Sequence, residues 1–327
     1  MNNRKMFIII ITLACIYFFS FSITSFSNTY PDKEVTVIVP WSAGGGSDTS
    51  ARMLADGLKK FFGVPFIIEN KPGAGGEIGI LALINSKPDG YTIGVGINVP
   101  SSLAIPFAKP KGAKTYTMND FTRIANLDLD PGILMVNTNS PFKTLDDFIK
   151  YAKENPNKIT IAHTGPGGDD YLAMKYIEGE ADIKLEGVQY DSSSGQLADL
   201  AGGHVDSAAV NVSQVSPLIK AGKIRALAVM DEERASILPE VPTFKEKGLD
   251  VTAYVARGVS GPAGISNEIV STLSNAIKKV ILEDPDFLER AKKRGLRTKF
   301  IGSQEYKEFI EKEYKKLEKL WEESPWL

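Results

Sequence analysis

Three glycine-rich segments contain the residues best suited to chemistry. They are residues 42–48 (Ser-Ala-Gly-Gly-Gly-Ser-Asp), 71–76 (Lys-Pro-Gly-Ala-Gly-Gly) and 164–170 (Thr-Gly-Pro-Gly-Gly-Asp-Asp). Each follows a short run typical of a strand and precedes a stretch with helical periodicity. Glycine lets a ligand approach the backbone, and the first N–H groups of a helix have no partner within the helix. The pattern therefore predicts anion-binding sites built from main-chain groups.

The motifs of several enzyme classes are missing from the sequence. There is no GxxxxGK[ST] phosphate loop, no dinucleotide fingerprint and no GxSxG nucleophile elbow. The two histidines, His163 and His204, lack metal-ligand spacing and are interpreted as structural. Asp169 and Asp170 offer paired carboxylates for acid–base catalysis, or they cap a helix that starts at Tyr171. A non-enzymatic protein without metal or cofactor is the favoured interpretation.

The first glycine segments belong to a repeated strand–loop–helix unit. Strands are predicted at residues 35–39, 66–70 and 91–97, the last opening onto 98–103. Ser47 or Asp48 is a candidate cap for the first helix, and a second helix begins near Glu77. The inner face of the first helix is formed by Ala51, Leu54, Ala55, Leu58 and Phe62. Because loops after parallel strands share one sheet edge, the three loops are expected to meet in one crevice.

The remaining chain predicts a second α/β lobe and a return to the first. Strands are expected at residues 132–136, 158–163, 185–190, 205–210 and 224–230, with an extended segment at 249–259. Ser266 is a good cap for the helix 269–282, and Thr144 opens a capping box. The predicted organisation is a lobe of residues 28–127 plus 255–327 and a lobe of 128–254. Two crossings between them form a hinge beside a ligand cleft.

The amino-terminal segment has the features of a secretory signal. Arg4 and Lys5 precede an apolar run, and small residues allow cleavage after Ser27, so residues 1–27 are predicted to be removed. A retained membrane anchor is the alternative. The chain has a net charge of -2, and removing the signal leaves 36 basic and 40 acidic residues, which argues against a nucleic-acid partner. Cys15, the only cysteine, weakly fits a lipoprotein processing box, so lipid anchoring is a second alternative.

Sequence blocks in a fixed order carry a family resemblance. They are residues 39–48 with Ala51-Arg52, 69–76, 88–91, 165–168, Tyr190, 199–206, 222–229, Arg234, 238–243, Gly248 and 261–264. Together they resemble the substrate-binding proteins of tripartite tricarboxylate transporters, the TctC or Bug type. The resemblance covers the mature chain. It implies a type II periplasmic binding fold, in which two α/β lobes are joined by two hinge crossings with a ligand cleft between them. It also implies capture of a small organic carboxylate for a two-component permease of the TctA/TctB kind. A monomer is expected.

The resemblance also implies ligand-binding residues on both sides of the cleft. On the first lobe they are Ser42, Ala43, Gly44, Ser47, Asp48, Gly75 and Gly76, with Trp41 as either a pocket wall or a packing residue. On the second lobe they are Thr164, Gly165, Gly168, Asp169, Tyr190 and Asp206. The first lobe is expected to hold one carboxylate through backbone groups and waters, and the second lobe closes on the rest of the ligand.

The second-lobe loop departs from the family pattern. Two carboxylates and a tyrosine follow Gly168, where the family usually has a serine and then a histidine, and Asp191–Gly195 replaces a Lys-Gly segment. Residues 263–266 also lack the family's Thr-Pro. An acidic loop repels a second carboxylate and pairs with an amine, so an amino-acid-like or monocarboxylate ligand is predicted over citrate. The alternatives are a solute sensor for a membrane kinase, or a hydrolase or transferase with Asp169 or Asp170 as base.

Overall fold

The computed structural model describes residues 30–97, 100–109, 115–190 and 192–323. The predicted signal peptide, Cys15, Asp191 and residues 98–99 lie outside these ranges. The chain divides into the units Met1–Asp32 and Lys33–Leu327, and every element below lies in the second unit. Among the described residues, no helix is both long and apolar enough to cross a membrane.

Strands and helices alternate along most of the described chain. The strands are β1 (Val35–Val39), β2 (Phe66–Asn70), β3 (Thr92–Val95), β4 (Phe121–Asn137), β5 (Thr160–His163), β6 (Glu186–Gln189), β7 (Ser207–Asn211), β8 (Ile224–Val229), β9 (Tyr254–Pro262) and β10 (Arg297–Gly302). The helices are α1 (Gly46–Phe62), α2 (Glu77–Ile84), α3 (Pro100–Ala108), α4 (Leu145–Glu154), α5 (Asp169–Ala181), α6 (Ser193–Gly202), α7 (Val212–Lys220), α8 (Asn267–Glu283), α9 (Pro285–Arg294) and α10 (Ser303–Glu323).

The strands pair in the order β2-β1-β3-β9-β4-β7-β5-β6, and β8 and β10 also pair with β4. β1 is parallel to β2 and β3, as predicted for the first lobe, and β5 is parallel to β6 and β7. We call β1–β3, β9, β10 and residues 121–131 of β4 the first strand set. The second strand set is β5–β8 with residues 132–137 of β4. The predicted lobe boundaries and the hinge stay predictions.

Strand β4 is longer than the sequence pattern predicts. The prediction of a strand starting at Gly132 was wrong, because pairing with β9 begins at Phe121. The segment 121–131 contains Arg123, Asp128 and Asp130, and charged residues rarely occupy a buried strand without partners. All three are nevertheless buried. β9 likewise continues to Pro262, past the predicted extended segment.

Glycines, rather than side-chain caps, begin the two helices after the glycine loops. Helix α1 has Gly45 as its N-cap, so the predicted caps Ser47 and Asp48 lie inside its first turn. Helix α5 has Gly168 as its N-cap and begins at Asp169, not at Tyr171. Neither N-cap accepts a hydrogen bond through a side chain, since glycine has none. By contrast, the caps predicted at Thr144 and Ser266 are confirmed.

The predicted core positions of β1 and α1 are confirmed. Val35, Val37, Ile38 and Val39 are buried, and so are four of the five predicted inner-face residues of α1; Phe62 is half-buried. Helix α1 packs closely on α8 at Gly57, where a Cβ atom would lie 2.3 Å from Cγ1 of Val280. Only glycine therefore fits this crossing without movement of α8.

Gly57→Ala and Gly179→Ala are expected to change stability in opposite directions. Alanine is about 1 kcal/mol better than glycine inside a helix. At Gly57, overpacking against Val280 costs about 1–3 kcal/mol, so we expect a net loss of stability. At Gly179 in α5, no heavy atom lies within 4 Å of the new methyl group, so we expect a gain of about 0.5–1 kcal/mol. Urea unfolding of both variants measures this, and a Gly57→Ala variant as stable as Gly179→Ala contradicts it.

Candidate functional site

The three loops of the first strand set meet around Trp41. Its indole Nε1 donates to the carbonyl oxygen of Gly96, which follows β3, at 2.9 Å. The ring lies 3.2 Å from the position of a Cβ atom on Gly76, in the loop after β2. The predicted convergence of these loops is therefore confirmed. Trp41 is half-buried and its N–H is engaged, and its role as a pocket wall stays a prediction.

Asp48 holds the first glycine loop in place. Its carboxylate accepts hydrogen bonds from the backbone N–H of Gly44 at 2.8 Å, from Nε of Arg52 at 3.0 Å and from Nδ2 of Asn70 at 2.9 Å. Burial disfavours the charge of Asp48, but these bonds outweigh burial and lower its pKa. Asn70 also donates to the carbonyl oxygen of Trp41 at 2.9 Å. Asp48 is thus an ionised anchor beneath the loop.

The loop above Asp48 is open to solvent. Ser42, Ala43, Gly44 and Gly75 are exposed, whereas Ser47 and Gly76 are buried. Gly44, Gly75 and Gly76 have φ values of 85°, 66° and 99°, in the region that favours glycine. The exposed main chain of these two loops is therefore accessible to a ligand, and Asp48 fixes the shape of the first loop.

Asp170 holds the glycine loop of the second strand set in the same way. It accepts from the backbone N–H and the hydroxyl of Thr164, both at 2.8 Å, and from Nε2 of Gln196 at 2.5 Å. The backbone N–H of Tyr171 is a fourth donor, at 2.8 Å. A Cβ atom on Gly168 would lie 2.5 Å from the Thr164 hydroxyl, so glycine is required there. In both strand sets, an aspartate in the first helical turn bonds back to the preceding loop.

His163 supports the second loop from the strand side. Its Nδ1 accepts a hydrogen bond from the backbone N–H of Gly165 at 2.9 Å, so this nitrogen carries no proton. Burial lowers the pKa of His163, which favours the neutral form that this bond requires. The interpretation of His163 as a structural residue agrees with this geometry. Among the described residues, no group of three histidine, cysteine, aspartate or glutamate side chains could hold a metal ion.

Asp169 has a different environment from Asp170. It is half-buried and lines a cavity of about 750 Å³ between α5 and α10. Burial raises the pKa of Asp169 to about 7, and the negative charge of Asp170 acts in the same direction. Of the predicted ligand residues, only Asp169 lines this cavity, whose wall also includes Lys175, Tyr176 and Tyr254.

A buried ion cluster lies between β4 and β9, close to the point where β4 passes from the first strand set to the second. Arg257 of β9 is 2% exposed, and its Nη1 lies 3.2 Å from Asp128 and 2.8 Å from Asp130 of β4. Burial opposes the charge of Arg257, but Asp130 and Asp128 outweigh burial and raise its pKa. Burial raises the pKa of Asp128 to about 6, although Arg257 opposes the shift.

Helices α1 and α7 both donate hydrogen bonds to the ion cluster. The hydroxyl of Ser50 in α1 donates to Asp128 at 2.9 Å, and the backbone N–H of Ser213 in α7 donates to Asp130 at 3.1 Å. A Cβ atom on Gly46, at the start of α1, would lie 2.5 Å from Nη2 of Arg257. Asp169, at the start of α5, is among the charges that raise the Arg257 pKa. The first glycine loop therefore ends against this guanidinium, and the charge of Asp169 at the start of α5 also acts on it.

Sequence reasoning did not identify this cluster. Asp128 and Asp130 are two residues apart, so they occupy the same face of a strand. Two sequence signals could have identified the cluster. One is this spacing within an otherwise apolar stretch, and the other is Arg257 in the predicted extended segment 249–259.

The structure places Tyr190 and Asp206 at different ends of the second strand set. Tyr190 follows β6, and its N–H donates to the carbonyl oxygen of His163 at 2.8 Å, beside the glycine loop. Its hydroxyl donates to Asp199 at 2.9 Å. Asp206 precedes β7 and accepts from the N–H and hydroxyl of Thr160, at 2.8 and 2.7 Å. Thr160 begins β5 whereas Thr164 follows its end, so Asp206 is not brought to the loop.

The strand order and the paired glycine loops define an α/β fold of the periplasmic binding protein class. The chain matches the TctC family model, described as the tripartite tricarboxylate transporter family receptor, over residues 50–325. It therefore belongs to the TctC family of solute-binding receptors, and the predicted family and fold class are confirmed.

Relatives and solved structures agree with this assignment. A Cupriavidus necator protein, named UPF0065 protein in gbd 5'region, is 31% identical over 293 residues, which cover 89% of this chain and 87% of the relative. MatC from Rhodopseudomonas palustris, solved with bound malate, is 28% identical with a TM-score of 0.77, covering 89% of this chain and 99% of MatC. An R. palustris protein solved with adipate is 27% identical with a TM-score of 0.79, covering 90% and 97%.

Proposed function

We propose that this protein is a secreted, non-enzymatic receptor that binds a small organic carboxylate and delivers it to a two-component membrane permease. The observation that carries the proposal is the pair of aspartate-anchored glycine loops, one in each strand set. Solved relatives with malate and adipate support a carboxylate as the ligand. The predicted signal peptide supports export, and the family description supports the permease partner.

The proposed site binds the carboxylate mainly through main-chain groups. The exposed loop 42–45 and Gly75 provide one side, and the start of α5 after Gly168 provides the other. The N–H groups of Thr164, Gly165 and Gly168 themselves donate to Asp170, to His163 and to the carbonyl oxygen of Gly165, so they shape the loop. A helix amino terminus contributes about 0.3–1 kcal/mol to an exposed anion and up to about 2 kcal/mol in a partly buried site. Hydrogen bonds to a charged group contribute about 1.5–3 kcal/mol each. A few such contacts reach the ~8 kcal/mol of a micromolar complex.

Of the two aspartates that sequence reasoning offered as a catalytic base, Asp170 has another task, and His163, interpreted as structural, supports the same loop. Asp170 accepts four hydrogen bonds from its own loop and from Gln196, and Nδ1 of His163 accepts from Gly165. A general base needs a free acceptor within reach of a substrate proton. These contacts support a binding protein over a hydrolase.

Native mass spectrometry of the protein purified from its own cells tests the proposal. We expect a co-purified carboxylic acid, released unchanged by denaturation, and calorimetry with that acid is expected to give a dissociation constant in the micromolar range. Turnover of the acid on prolonged incubation contradicts a pure binding role. Binding only to neutral solutes contradicts the ligand class.

Asp169 is expected to make carboxylate affinity depend on pH. Because its pKa is raised to about 7, Asp169 is largely ionised at pH 8 and largely protonated at pH 6. The ionised form repels a ligand carboxylate, so we expect malate affinity to rise roughly 3- to 10-fold, about 0.7–1.4 kcal/mol, between pH 8 and pH 6. Calorimetry at both pH values measures this, and Asp169→Asn is expected to bind malate equally at both.

An amino acid ligand is expected to give the opposite pH trend. Ionised Asp169 attracts the ammonium group of an amino acid ligand. The affinity for free aspartate is therefore expected to fall as the pH falls, and to be lower in Asp169→Asn than in wild type. This contrast tests the proposed preference for amino-acid-like or monocarboxylate ligands over citrate. Tight citrate binding that is unchanged in Asp169→Asn contradicts that preference.

A further inference from the structure

Arg123 is a buried cation that forms no ion pair with a carboxylate of the described residues. It lies near the start of β4 and is 5% exposed. Within the described part of the chain, no acidic side chain pairs with it, and its Nη1 has no hydrogen-bond partner. Its Nη2 makes one long contact to the carbonyl oxygen of Met118, at 3.4 Å, and lies 3.6 Å from the Met118 sulfur. The guanidinium also stacks over Phe121, 4.6 Å from the ring centroid.

Such an arrangement is costly without an anion. A buried charge is normally paired and hydrogen-bonded, and an unpaired one disfavours folding. Burial lowers the pKa of Arg123 to about 10, although the charge of Glu311 opposes the shift, so the guanidinium remains charged at neutral pH. Arg257 shows the contrast within the same chain, because two aspartates neutralise it. The contacts of Arg123 therefore leave its positive charge available to a ligand.

Arg123 lines a cavity of about 230 Å³, equivalent to roughly seven or eight water molecules. Two helices begin at its wall: Asn267 is the first residue of α8, and Ser303 and Gln304 are the first residues of α10. Helix amino termini favour anions. Lys307 also lines the cavity, and the one acidic residue in the described lining, Glu311, lies 3.9 Å from Lys307. With Arg123 and Lys307 positive and Glu311 negative, the described lining keeps one excess positive charge.

We propose that this cavity is a second anion site, which binds a small oxyanion, either inorganic phosphate or a small carboxylate, through Arg123, Lys307 and the starts of α8 and α10. The guanidinium suits oxyanions because it presents several N–H donors in one plane. The cavity is separate from the glycine-loop site. Arg123 precedes Asp128 of the ion cluster by five strand residues, about 16 Å along β4.

The test compares wild type with Arg123→Met by thermal unfolding, using phosphate as the probe. About 50 mM phosphate is expected to raise the wild-type Tm by at least about 2 °C over sodium chloride of equal ionic strength. Arg123→Met keeps much of the apolar stem and removes the charge. Without phosphate its Tm is expected to equal or exceed that of wild type, and phosphate is expected to add nothing.

Two further variants keep the test decisive. Lys307→Gln alters an exposed side chain and is expected to reduce the phosphate effect by at least half; it decides the matter if Arg123→Met does not fold. Arg290→Met removes an exposed arginine elsewhere and is expected to keep the wild-type response. Acetate in place of phosphate distinguishes the carboxylate from the phosphate source. No wild-type shift with either anion, or an equal shift in Arg123→Met or Lys307→Gln, overturns the proposal.

Discussion

Arg257→Met is expected to lower the free energy of unfolding by about 3–5 kcal/mol, because removing one partner of a buried ion pair leaves the other charge uncompensated. Here the variant leaves two carboxylates, Asp128 and Asp130, which are 1% and 0% exposed. Methionine fills much of the space of the arginine stem, so the loss reports charge more than packing. Urea unfolding at pH 7.5 measures the difference from wild type.

The loss in Arg257→Met is expected to depend on pH in a definite direction. The folded-state pKa of Asp128 is raised to about 6, above its ordinary value of 3.8. Stability linked to this proton is fully present below about pH 4 and is lost as the pH rises through 6. Without Arg257 the folded pKa rises further, so the loss continues to higher pH. The deficit relative to wild type is therefore expected to be smaller at pH 5 than at pH 8.

Arg290→Met provides the matched control. Arg290 pairs with Asp56 at 2.7 Å, but both side chains are exposed, at 43% and 63%. Exposed pairs contribute about 1 kcal/mol or less. An equal loss in Arg290→Met and Arg257→Met, or a deficit in Arg257→Met that grows toward pH 5, contradicts the assigned role of the buried cluster.

The ion cluster also shows where sequence reasoning stops. The apolar run at β1 and the helical spacing in α1 predict buried elements because burial there depends on local periodicity. Burial of Asp128, Asp130 and Arg257 instead depends on ion pairing, and Arg257 lies 129 residues after Asp128 in the sequence. No local pattern contains that partner, so β4 was predicted eleven residues too short at its start.

The positions of the glycine loops were predictable from the sequence, but the hydrogen bonds that hold the loops were not. Glycine content and the strand before each loop suffice to locate them. The first residue of α5 decides whether Asp169 or Asp170 bonds back to the loop. A sequence pattern locates the start of a helix only to within one or two residues. Asp48 and Asp170 were therefore considered for ligand, cap or catalytic roles, whereas their bonds show them holding Gly44 and Thr164.

Asp170→Ala is expected to reduce carboxylate affinity by 10- to 100-fold, about 1.4–2.8 kcal/mol. The substitution removes the acceptor for two groups of Thr164 and for Tyr171 and Gln196. The loop 164–168 then loses the contacts that fix its main chain, and binding must order it again. A loop that is ordered only on binding lowers affinity by the cost of that ordering. Calorimetry with the acid that co-purifies with the protein measures the effect.

Asp206→Ala is a closely matched control. Asp206 accepts from the N–H and hydroxyl of Thr160, just as Asp170 accepts from those of Thr164. The two aspartates thus make the same bonds to threonines at opposite ends of β5, and only Asp170 lies at the glycine loop. We expect Asp206→Ala to keep wild-type affinity, although sequence reasoning placed Asp206 among the ligand-binding residues. Loss of affinity in Asp206→Ala but not in Asp170→Ala would place the ligand at the other edge of the sheet. Loss of affinity in Asp170→Ala alone places the ligand at the edge of the sheet where the glycine loops lie. It also shows that the hydrogen bonds from Thr164 to Asp170 are required for binding.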